Sequence, residues 1–130
     1  MGQQQAIIII LVILIVGTAV FGGIQIFESS TQTHERENLI QQMTILVGEA
    51  EKYYLRTRNV GGGEGSFVGF VPMSTLSTTE RMTISTFTGS DWVIFQGFGI
   101  VNGWDGLNPV QVIVQYRRFD AQKQTVNLVN

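Results

Sequence analysis

AIIIILVILIVGTAVFGGI, residues 6–24, holds no charged side chain, and how this run is read decides the fold. Wound as a helix and extended to Phe27, it rises about 33 Å at 1.5 Å per residue, enough to cross the hydrocarbon core of a bilayer. In lipid a segment this apolar satisfies its own backbone N–H and C=O groups only as a helix. Burial against copies of itself hides the same surface from water. No other part of the 130 residues is comparably apolar, so the remainder reads as something carried by this rod.

Beyond Phe27 the pattern becomes amphipathic, with Leu39, Ile40, Met43, Leu46, Val47, Ala50 and Tyr54 recurring at spacings of three and four along one face. Glu35, Gln42, Glu49 and Lys52 fall on the other face. The acids Glu28, Glu35 and Glu37 come early and Lys52, Arg56 and Arg58 come late, which complements the helix dipole. No proline interrupts this stretch, so the pattern predicts one helix over residues 1–60, a hydrophobic stalk at 1–27 and an amphipathic half at 28–60. The glycines at 61–63 are the natural stop. Two soft places are expected inside it, the Ser/Thr-rich residues 28–33 and the glycines Gly17, Gly22 and Gly23.

Residues 61–130 carry short runs rich in aromatic and β-branched side chains, separated by turn signals. Extended segments are predicted at 67–71, 82–87, 92–101, 110–119 and 125–129. The clearest has Val110, Val112, Val114 and Tyr116 alternating with polar neighbours, the pattern of a strand with one face buried. Such a sheet needs a cover, and the helix stripe needs a floor. The predicted class is therefore α+β: a long N-terminal helix packed by a small antiparallel head domain. Its helix–sheet contact is assigned to Leu39, Met43, Leu46, Val47, Ala50 and Tyr54 against Val112, Val114 and Tyr116.

Composition narrows function. A formal net charge of −2 without a basic block argues against nucleic acid as a partner. The absence of cysteine removes disulfides and thiolate metal sites, and His34, the single histidine, has no nucleophile or second histidine to work with. Glu35/Glu37 and Glu49/Glu51 are two residues apart, on different helix faces, and read as solvated charge rather than an acid/base pair. Residues 61–66, GGGEGS, lack the Lys-Ser/Thr ending of a phosphate-binding loop and read as a turn. Asn102, Asp105 and Asn108 match no standard calcium spacing and read as turn formers. The run STLSTTE is exposed enough in character to carry O-linked glycan. No enzyme activity and no cofactor are expected.

A polar Gly/Gln-rich start, about twenty apolar residues, an amphipathic continuation and a small C-terminal β domain together resemble the type IV pilins and pilin-like proteins. The resemblance implies a subunit stored in the membrane, relieved of a short basic leader by a prepilin peptidase, and packed by pilus assembly machinery into an extracellular helical homopolymer. The start MGQQQ, without Lys or Arg, is what that processing would leave. Under this resemblance the filament-core residues are Met1, Gln5, Ile8, Leu11, Ile15, Gly17, Gly22, Gly23 and Phe27. The family's glutamate near the mature N-terminus would fall at position 5, where this chain has Gln5, pointing to an archaeal-like or otherwise divergent branch. The alternatives are a single-pass membrane-anchored binding or sensor module and a minor pseudopilin of a secretion system.

Overall fold

The structure is a computed structural model and describes residues 2–130; Met1, one of the expected filament-core residues, lies outside them. A single helix, α1 (Gly2–Leu55), runs without interruption through both halves of the predicted stalk. The break expected at 28–33 is absent, and the hydroxyls that lowered helix propensity supply the reason. Thr31 Oγ1 donates to the Phe27 carbonyl (2.9 Å) and Thr33 Oγ1 to the Ser29 carbonyl (3.0 Å), so these polar groups are satisfied inside the helix. Nor do Gly17, Gly22 and Gly23 interrupt it.

The α-helix stops at Leu55, short of the expected boundary at 60. A 3₁₀ turn (Arg58–Val60) follows, and Gly61 then takes a left-handed conformation (φ 76°) that lets its N–H close on the Arg58 carbonyl. A short helix, α2 (Ser74–Ser77), precedes the strands β1 (Thr78–Thr79), β2 (Met82–Thr88), β3 (Trp92–Asn102), β4 (Pro109–Arg117) and β5 (Gln124–Leu128). They form one antiparallel meander in the order β1-β2-β3-β4-β5. The fold is thus α+β, one long helix on a five-stranded antiparallel sheet.

One predicted strand is corrected. Residues 67–71 turn instead of extending: Phe70 N–H bonds back to the Phe67 carbonyl, and Gly69 sits at φ 87°. The segment serves the core through its two phenylalanines, both buried beside Tyr53, Tyr54 and Tyr116. The run STLSTTE forms α2 and β1 at the sheet edge.

The core lies between helix and sheet. Leu39, Met43, Leu46, Val47 and Ala50 are buried on the helix, and Tyr54 packs half-buried against the same cluster. The sheet answers with Ile84, Val93, Phe95, Val110, Val112, Val114 and Tyr116. Opposed residues of β3 and β4, such as Phe95 and Val114, share the helix-facing side of the sheet. Gly97 sits where the helix comes closest; a Cβ there would run into the Met43 methyl and the Leu39 side chain.

At the far end of the helix the core is closed by a polar latch. Glu51 Oε1 accepts from Tyr116 Oη (3.2 Å) and from Arg118 Nη1 (3.3 Å), and Arg118 lies over the Tyr54 ring (4.6 Å). Burial, then the Glu51 charge and its hydrogen bond, push the Tyr116 phenol above its usual range. A raised folded-state value favours the native state below the ordinary phenol pKa, and that contribution is lost as pH rises through the folded value. In Glu51→Gln the charge, one of the raising causes, vanishes, while burial and an amide oxygen able to accept from the phenol remain. The Tyr116 ionisation midpoint is expected to fall, read by phenolate absorbance against the unaltered chain.

Candidate functional site

The feature that demands a functional account is the uncovered half of α1. None of residues 2–27 is charged, and the head covers no part of it: every Ile, Leu and Val from Ile7 to Val16 is more than half exposed. Among the described residues this is the one helix long and apolar enough to cross a membrane. Of the expected filament-core residues, Ile8, Leu11, Ile15 and Phe27 are exposed apolar side chains, Phe27 at 74%. Gln5 is exposed near the helix start. At Gly17, Gly22 and Gly23 nothing beyond the helix's own adjoining backbone lies within 4 Å of where a Cβ would stand, so these positions are shallow points on the helix surface. Thr18, the hydroxyl within the run, donates to the Leu14 and Ile15 carbonyls (3.0 and 2.9 Å) and adds no unsatisfied group to an apolar setting.

The head leaves this run uncovered, and its length and apolar character are compatible with a membrane span or a stalk.

The stalk meets the head at a junction held by polar contacts. Gln32 Nε2 donates to the Gly103 carbonyl (3.2 Å), the Glu35 carboxylate accepts from Ile100 N–H (3.0 Å), and Arg36 Nε donates to the Asn130 carbonyl (3.3 Å). Arg36 is buried, its guanidinium carbon 4.2 Å from the centroid of the Trp104 ring. Its Nη2 has no hydrogen-bond partner. The sheet is therefore pinned to the helix at both ends, by Gln32, Glu35 and Arg36 near the stalk and by Glu51 at the other. Reading Glu35 and Glu51 as solvated charge is corrected on this ground.

The β3–β4 loop, residues 103–108, hangs beside the junction. Asp105 organises it, accepting from the backbone N–H groups of Leu107 and Asn108 (both 3.0 Å) and from the side-chain amides of Asn108 (2.6 Å) and Asn130 (3.0 Å). These bonds, that from Asn108 N–H foremost, hold its carboxyl well below the usual carboxylate range. The carboxylate is consumed by the turn, and a Cβ-less Gly106 at φ 68° completes it. A cleft of about 380 Å³ separates this loop from the helix, lined by Phe27, Glu28, Thr31 and Gln32 on one side and Val101, Asn102, Gly103 and Gly106 on the other.

Arg36, Gln32 and Asn130 were not singled out from the sequence. For Arg36 the signal was present: it stands three before Leu39 and seven before Met43, on the apolar stripe itself. His34 is exposed on the helix, and the described residues contain no group of three His, Cys, Asp or Glu arranged to hold a metal. No protein-family model, curated protein or solved structure matches the chain.

Proposed function

We propose that the chain is a structural subunit of a pilin-type helical filament, stored in a membrane by its apolar half-helix and then packed through it into a homopolymer core, with the β head displayed outside. The observation that carries the reading is the unbroken passage of one helix from a wholly uncovered apolar half into a half that the sheet covers on one side. Identical copies related by one repeating, non-closing contact generate a filament, and the uncharged half-helix supplies an interior with no charge to bury. The resemblance to pilins supports the same route, including leader removal and an assembly machine as partner. In this reading the protein is not an enzyme, and it works at the cell surface in adhesion, motility or contact.

The test is electron microscopy of filaments sheared from producing cells, with mass spectrometry of the subunit. Filaments built of this chain are expected, resistant to mild detergent. Recovery of the protein solely as a detergent-soluble membrane monomer would replace the filament with an anchored binding or sensor module. A short, scarce assembly tied to a secretion machine would instead identify a minor pseudopilin.

A further inference from the structure

The β3–β4 loop ends in two large apolar side chains that the core does not use. Trp104 is 68% exposed and Leu107 is 85% exposed, although the head has a sheet face and a helix stripe able to bury such groups. Their place along the helix matters. Gly103 is tied to Gln32, and Gly106 shares the cleft with Phe27 and Glu28. Gln32 stands five positions beyond Phe27, about 7.5 Å along the helix axis. The headgroup layer on each side of a hydrocarbon core is roughly 5–7.5 Å deep. With the apolar run in a bilayer up to Phe27, the loop tip lies in that layer.

We infer that Trp104 and Leu107 form a second membrane contact, a headgroup-level anchor that the head lays on the bilayer surface beside its own transmembrane helix. The surface continues the apolar half-helix at Phe27, and its occupant is zwitterionic phospholipid. Indole suits this layer because its ring is apolar and its N–H is not. The exposed charges beside this surface, Asp105 within the loop and Glu28 on the helix, are both acidic, so anionic headgroups are disfavoured. The single carboxylate of the loop, Asp105, is exposed, but its oxygens are occupied by hydrogen bonds from Leu107 N–H, Asn108 and Asn130 beside the two apolar side chains. Arg36, buried against one face of the Trp104 ring, holds the indole in place while the rest of the ring stays open.

This rests on the membrane-stored form proposed above, and the experiment separates the two. The chain has no cysteine, so Leu107→Cys introduces a unique attachment point for a nitrobenzoxadiazole fluorophore at an exposed position. Ala121→Cys places the same fluorophore at the opposite end of the sheet, in the loop between β4 and β5. Both full-length chains are reconstituted into phosphatidylcholine vesicles containing headgroup-nitroxide lipid. The label at 107 is expected to be quenched at least threefold more than the label at 121. In a Trp92→Phe chain the remaining Trp104 is expected to follow the label at 107. Equal quenching at 107 and 121 in chains that float with the vesicles overturns the anchor and leaves the span standing. Chains that do not float overturn both.

Discussion

Phe95→Ala is expected to destabilise the head by about 4 kcal/mol, the usual cost of emptying a phenylalanine site in a closed core. Phe95 is wholly buried at the middle of β3, opposite Val114 on β4 and Thr86 on β2, with the Phe70 ring meeting it edge-on at 6.4 Å. The void would open under the helix stripe, where Met43 and Gly97 already define the closest approach of the two layers. Collapse is resisted because the helix is pinned at both ends of the sheet, by Gln32, Glu35 and Arg36 and by Glu51. A small domain has a total stability of the order of 5–15 kcal/mol, so the loss takes a large share of it. Urea unfolding of the full chain in detergent micelles, followed by near-ultraviolet circular dichroism, measures it. A loss under about 1 kcal/mol would show that helix and sheet do not share one core.

Ile15→Lys addresses the other half of the molecule, and its value lies in separating lipid from polymer. On insertion scales, lysine for isoleucine at the centre of a span costs about 3–4 kcal/mol. The aliphatic and phenylalanine side chains of residues 7–24 together favour insertion by roughly 4–8 kcal/mol on the same scale. The span therefore survives the substitution, helped by a long side chain that reaches toward the interface. A homopolymer core has no such escape, because each copy would bring an unpaired charge against neighbouring copies. The expected result is a chain that still sediments with membranes and yields no filaments, while Ile15→Leu assembles normally. Filaments of ordinary abundance from Ile15→Lys would remove the apolar half-helix from the polymer core.

The α+β class was legible because each of its parts is written in a periodicity: an uncharged run, a stripe at three and four, and an alternating strand at Val110, Val112, Val114 and Tyr116. The stripe and the strand make the observed core, while the uncharged run stays outside it. Residues 67–71 were misread because aromatic content resembles strand propensity, whereas Gly69 and Pro72 favour a turn whose two phenylalanines plug the core. The helix junction was hidden for a different reason. Gln32 and Glu35 look like an ordinary solvated face, Arg36 shows only as a charge on the apolar stripe, and their partners, Gly103, Ile100 and Asn130, lie some 65 to 94 residues away in sequence. Only the meander brings those distant groups to the helix. Trp104 and Leu107 were likewise visible as residues but not as a place, since their height above Phe27 follows from the Gln32–Gly103 contact.

The continuity of α1 through residues 28–33 gives the molecule a phase. With no hinge between stalk and head, each residue inserted at Ser29–Ser30 would turn the head about 100° around the stalk while lifting it only about 1.5 Å. Seven inserted residues would bring it back to within about 20°. A protein standing alone in a bilayer is indifferent to such a rotation, because the membrane looks the same from every azimuth. A screw-symmetric array is not, since every copy must point its head along one radius. The rigid passage between the two halves thus stores a compass bearing that has meaning only in company.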